Sequence, residues 1–115
     1  MDDLESIRIA IRKFRDDRDW MQFHNPKNLA CSVSIEAAEL LQYFQWKTPE
    51  ECISVANHHR AEIAKEIADI AIYLIELSDN LEIDLGEAVF DKLKENGEKY
   101  PVTKAKGVAT KYDRL

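Results

Sequence analysis

The sequence predicts an all-α fold built on a four-helix bundle core, and three observations support this. Apolar residues recur at three- and four-residue intervals through most of the chain. Only three glycines and three prolines interrupt its 115 residues. The chain is rich in Ala, Glu, Leu, Ile and Lys, a composition that favours long helices over many short strands. Such a length is enough for one domain with one core, residues 1–115, and too short for a separate regulatory domain.

The elements follow in order. Leu4, Ile7, Ile11 and Phe14 alternate with Arg8, Arg12, Lys13 and Arg15, the pattern of a surface helix over about 2–18 with one buried stripe. From Arg18 to Asn28 the pattern lapses into an aromatic-rich loop, and Pro26 fits the first turn of the next helix. That second helix is expected over about 26–46, where Leu29, Val33, Ala37, Leu40, Leu41 and Phe44 keep helical spacing until Thr48-Pro49 stops it. Thr48-Pro49-Glu50-Glu51 then reads as a capping box opening a short helix, about 49–56. A third long helix, roughly 58–81, is apolar nearly all round after Lys65 and is expected to be the most buried. Asp84 with Glu87 opens a fourth long helix that ends before Pro101. Residues 101–115 carry no helical period and read as an irregular basic tail, with Lys104, Lys106, Lys111 and Arg114 against Asp113.

Charge and cysteine usage exclude several function classes. A net charge of −6 argues against general nucleic-acid binding, which needs a surplus of Lys and Arg on the binding face. Cys31 and Cys52 form no C-x-x-C pair, and Cys31 in its apolar surroundings reads as a buried thiol rather than a zinc ligand or half of a disulfide. No run approaches eighteen apolar residues and the first residues are acidic, so neither a membrane span nor a secretory leader is expected, and the cytoplasm is the expected compartment.

The chemistry lies in a repeated pair, Glu36-x-x-Glu39 in the second helix and Glu66-x-x-Asp69 in the third long one. Each places two carboxylates one turn apart on one face, so two such helices side by side converge four. Their neighbours are mostly apolar and Lys65 is the one basic residue in either stretch. Clustered anions there need protonation, a basic partner or a metal, since desolvating each costs several kcal/mol. An oxygen-only ligand set suits Mg²⁺, with Mn²⁺ as the substitute. Glu62, one turn before Glu66, is either a fifth ligand or a surface acid, the latter being preferred. A di-iron bundle would need Glu-x-x-His pairs, which the sequence lacks.

With E-x-x-E, a spacer of 26 residues and then E-x-x-D, the chain resembles the MazG-like all-α nucleoside triphosphate pyrophosphohydrolases. Asp19-Trp20, Phe23-His24-x-Pro26-x-Asn28-Leu29, Phe44-Gln45-Trp46, Lys92, Asn96 and Lys99-Tyr100-Pro101 extend the resemblance, to the dCTP pyrophosphatase branch, over nearly the whole chain. The resemblance implies Mg²⁺-dependent hydrolysis between the α and β phosphates, here of dCTP to dCMP and pyrophosphate, in cleansing of the nucleotide pool. It implies Glu36, Glu39, Glu66 and Asp69 as metal ligands; the choice of a catalytic base among them does not follow from it, and Glu39 is taken as the candidate. For substrate it points to Trp20, His24, Trp46 and Tyr73 around the base, and to Lys92, Asn96, Lys99 and Tyr100 at the phosphates or sugar. It further implies a homodimer or a homotetramer built as a dimer of dimers, with sites where subunits meet. dUTP or a modified dNTP would fit the same chemistry. The reading from another class is a non-catalytic helical interaction module, which would be indifferent to Mg²⁺.

Overall fold

A computed structural model of the chain describes residues 3–115. The chain is all-helical, as expected, and no strand forms among the described residues. It divides into two compact units, one reaching to Glu82 and the other Ile83–Leu115.

The first unit holds α1 (Leu4–Asp17), a 3₁₀ turn (Met21–Phe23), α2 (Pro26–Gln42), α3 (Pro49–His58) and α4 (Arg60–Asn80). Asp3 caps α1 by accepting the Ser6 N–H at 2.7 Å. The expected start at residue 2 lies outside the described residues. Asn25 caps α2, accepting the Asn28 N–H at 2.9 Å, with Pro26 at the first turn. The capping box of α3 forms in both directions: Thr48 Oγ1 accepts the Glu51 N–H at 3.1 Å, and a Glu51 oxygen accepts the Thr48 N–H at 2.9 Å.

Two expectations need correction, for α2 and Cys31, and one, for α4, needs qualifying. α2 ends at Gln42 rather than Trp46, because the N–H groups of Tyr43 and Phe44 bond back only three residues, to Leu40 and Leu41, and Trp46 then turns left-handed at φ 66°. α4 packs against α2, α1 and α3, yet Ile67, Ile72 and Leu74 on it remain exposed, so this helix is the hub of the unit without being uniformly buried. Cys31 is exposed rather than buried, and both thiols are free. The apolar residues buried in the core are Ile11 of α1, Leu29 of α2 and Ile63 of α4.

Charged groups stitch α1 to α4. Arg12 grips Asp79 through two bonds of 2.6 Å each, and Arg8 approaches the same carboxylate at 3.6 Å. The Arg12 guanidinium holds the Asp79 carboxyl below the usual range. None of the described helices is long and apolar enough to cross a membrane.

The second unit holds α5 (Leu85–Lys99), capped by Asp84, which accepts the Glu87 N–H at 3.0 Å. The segment after Pro101 is not wholly irregular: it forms one turn of helix, α6 (Val102–Ala105), and a 3₁₀ turn over Tyr112–Arg114. Tyr112 meets Tyr100 edge to face with centroids 6.0 Å apart, and the Lys99 ammonium lies 5.0 Å from the Tyr112 ring. These contacts order a stretch too short to show a helical period.

Candidate active site

The pairing of α2 with α4 brings the carboxylate pairs together. Single oxygens of Glu36, Glu39 and Glu66 all lie within 4.8 Å of one another, a spacing that one cation could bridge. Glu36 and Glu66 are half-buried and Glu39 is exposed. Asp69 stands outside this set of three; it lines the cavity next to it, close enough for its charge to act on Glu36. Glu62 is exposed and does not belong to the set of three.

The electrostatics are those of anions awaiting compensation. A hydrogen bond shared with Glu66, then burial, then Glu39, raise the Glu36 carboxyl to about 7. Glu66 Oε2 is buried without a hydrogen-bond partner. An orphaned carboxylate oxygen is costly, and on a residue that also offers an oxygen to this cluster it fits a divalent cation. No basic side chain forms an ion pair with Glu36, Glu39, Glu66 or Asp69 among the described residues.

Two cavities adjoin the cluster. A polar one of about 340 Å³ is lined by Glu39, Gln42, Tyr43 and Glu66. A largely apolar one of about 530 Å³ lies between α1, the aromatic loop and α4; Phe14, Trp20, His24, Asp69, Tyr73 and Glu76 are among its lining residues. Trp20 meets Phe14 edge-on at 5.8 Å and His24 at 6.1 Å. Burial and the charges of Glu36 and Asp69 push the Tyr73 hydroxyl above its ordinary value, with a Ser32 hydrogen bond opposing them. Trp20, His24 and Tyr73 therefore share one concave, aromatic surface beside the carboxylates, a shape suited to a nucleobase.

Trp46 is not among the residues lining this cavity: its left-handed turn leaves it 92% exposed. Lys92, Asn96, Lys99 and Tyr100 belong to the second unit, where Lys92 and Lys99 pair with Glu95 at 3.3 and 3.2 Å and the Tyr100 N–H bonds the Asn96 carbonyl at 2.8 Å.

Sequence reasoning missed Glu76, a buried carboxylate only 3% exposed. His24 Nδ1 lies 2.7 and 2.9 Å from its two oxygens, Asn80 Nδ2 bonds Oε2 at 3.3 Å, and Arg15 Nη1 in turn bonds Asn80 Oδ1 at 2.9 Å. This chain of contacts ties the aromatic loop to α4. A signal existed: Glu66, Asp69, Tyr73, Glu76 and Asn80 follow one another at intervals of three and four, a polar stripe along an otherwise apolar helix.

Comparison with known proteins places this geometry in context. A model of the MazG-like family matches residues 31–115. The dCTP pyrophosphatase 1 of Bos taurus is 41% identical over 97% of this chain and 68% of its own length. The human dCTP pyrophosphatase 1 is 38% identical over 97% of this chain and 67% of its own. A crystal structure of a pyrophosphatase from Archaeoglobus fulgidus superposes with a TM-score of 0.82 at 46% identity, covering 85% of this chain and 92% of that one.

Proposed function

Since the chain belongs to the MazG-like family and is a hydrolase acting on nucleoside triphosphates, we propose that it converts dCTP to dCMP and pyrophosphate, using Mg²⁺ held by Glu36, Glu39, Glu66 and Asp69, and so cleanses the cytoplasmic nucleotide pool. The observation that carries the reading is the convergence of three carboxylates within 4.8 Å, one with a buried oxygen lacking any partner, beside an aromatic cavity. The names of the dCTP pyrophosphatase relatives support the choice of base.

In this reading Trp20, His24 and Tyr73 enclose the base, and the triphosphate runs across the carboxylates toward the polar cavity of Glu39, Gln42, Tyr43 and Glu66. When bound, Mg²⁺ supplies charge neutralisation of the phosphate oxygens and a water of lowered pKa. Glu39, exposed at the rim of the polar cavity, takes the proton of the attacking water. The water oxygen bonds the α-phosphorus as the bond from that phosphorus to the bridging oxygen breaks, and pyrophosphate leaves with the bond's electron pair. The resemblance to the family alone assigns Lys92, Asn96, Lys99 and Tyr100 to phosphate or sugar and Trp46 to the base. Exposed apolar residues such as Ile67 and Phe90 support assembly into a homodimer or homotetramer.

The test is to incubate the purified protein with each common dNTP and NTP, in Mg²⁺ or in EDTA, and to identify the products chromatographically. Monophosphate and pyrophosphate formed only with Mg²⁺, and fastest from dCTP, are expected. Absence of turnover under any metal would overturn the reading.

A further inference from the structure

We infer that Glu76 reads the base: its carboxylate accepts a hydrogen bond from an exocyclic amino group, so the cavity selects triphosphates of amino-bearing bases over those with a carbonyl at that position. The inference rests on the reading above that the cavity of about 530 Å³ receives the base, and it addresses what that reading leaves open, the chemistry of discrimination.

The polarity of the Glu76 network follows from its far end. A guanidinium only donates, so Arg15 Nη1, 2.9 Å from Asn80, must face the amide oxygen. The Asn80 NH₂ group is thereby turned to Glu76 Oε2 at 3.3 Å, where it donates. Glu76 is an acceptor in that bond and accepts from His24 as well, whose Nδ1 carries the proton. Two bonds thus take their direction from a single arginine that is itself buried, and the third from the ionised carboxylate, which can only accept.

The acceptor count leaves Glu76 under-supplied. An ionised carboxylate offers about four lone-pair positions. Only two donors reach it among the described residues, and both favour Oε2: the Asn80 amide and the shorter arm, 2.7 Å, of the His24 contact. Oε1 has only the longer arm of that contact, at 2.9 Å. A carboxylate that is 3% exposed, lines an aromatic cavity and has spare acceptor capacity on one oxygen is a fixed receptor for an N–H donor.

Cytosine supplies such a donor at C4, and Glu accepting from that amino group is a known base-edge pairing. Uracil and thymine place a carbonyl oxygen there, lone pair against lone pair. A polar group left facing the wrong partner in a buried site discriminates far better than apolar contact does.

The test compares, in Mg²⁺, dCTP, dUTP and the triphosphate of the 2-pyrimidinone deoxyriboside, which is dCTP without its 4-amino group. For the wild-type protein, kcat/KM on the last two is expected to fall by about 10- to 100-fold relative to dCTP. In Glu76→Gln, His24 and Asn80 still donate, so the glutamine oxygen turns to them and its NH₂ faces the base. The preference is then expected to swing toward dUTP and the cost of losing the amino group to vanish. Wild-type turnover of the des-amino triphosphate within about threefold of dCTP would overturn the inference while leaving the proposed hydrolase intact. So would a Glu76→Gln protein that loses the same factor on all three substrates, since that is the signature of a residue that merely holds His24. If the variant does not fold, the wild-type comparison decides alone. If the wild type consumes no triphosphate at all, the proposed function fails and the inference with it.

Discussion

Replacing Glu66 by glutamine is expected to raise the stability of the metal-free protein and to abolish its response to Mg²⁺. The oxygens of Glu36, Glu39 and Glu66 lie within 4.8 Å of one another. Two unit charges at that separation repel by ~1 kcal/mol in water and by ~3.5 kcal/mol at an effective dielectric constant of about 20. With Glu39 exposed and Glu36 and Glu66 half-buried, the lower part of that range applies, ~1–2 kcal/mol. Glutamine keeps the volume of the side chain, and its amide can donate to the neighbouring Glu36 carboxylate. At roughly 4 °C per kcal/mol for a chain of this size, the metal-free variant should melt about 4–8 °C higher. Thermal unfolding at equal protein concentration near pH 8, where Glu36 is largely ionised, measures this in EDTA and again with excess Mg²⁺ and nucleotide. The wild type should gain stability from the metal and the variant should not. A variant that melts lower than wild type in EDTA, yet keeps the full Mg²⁺ shift, would refute the electrostatic reasoning.

Other consequences are equally measurable. Because the Glu36 carboxyl is raised from 4.5 to about 7 in the fold, the native state holds a proton that the unfolded chain releases; metal-free wild type should lose stability relative to Glu36→Gln as pH rises from 4.5 through 7. Titration calorimetry in two buffers should show proton release on Mg²⁺ binding across the same window, and its absence would mean that the metal binds elsewhere. Glu39→Gln should lower kcat by at least about 100-fold, with the melting temperature in EDTA unchanged or raised. Asp79→Asn removes the paired bonds from Arg12 and should cost ~1–2 kcal/mol, the value discounted because Arg12 is 45% exposed; a shifted urea midpoint with unchanged kcat is expected.

Local signals were legible wherever the chemistry was local. Asp84 and the Thr48 capping box announce their helices in four-residue words; the Thr48 box forms in both directions, while at Asp84 only the bond from the Glu87 N–H forms. The carboxylate pairs were legible because charge within apolar helical stretches is expensive enough to need a purpose. What the sequence concealed depends on three-dimensional neighbours. Trp46 keeps the spacing of α2, but the last turn tightens and the chain swings left-handed, a choice that no side-chain period records. Cys31 looked buried because its neighbours are apolar, whereas burial depends on which face a partner helix covers. Glu76 was passed over as one more acid on a long helix. Its meaning comes from His24, 52 positions away, and from Arg15, whose guanidinium sets the direction of the network.

The most direct test of the central claim is crystallographic: soak the protein with Mn²⁺ and a non-hydrolysable α,β-imido dCTP, and locate the manganese by its anomalous signal. A peak is expected within coordination distance of Glu36, Glu39 and Glu66, with Asp69 drawn toward it and the base between Trp20 and Tyr73. Manganese bound away from these carboxylates while nucleotide occupies the cavity would contradict that claim.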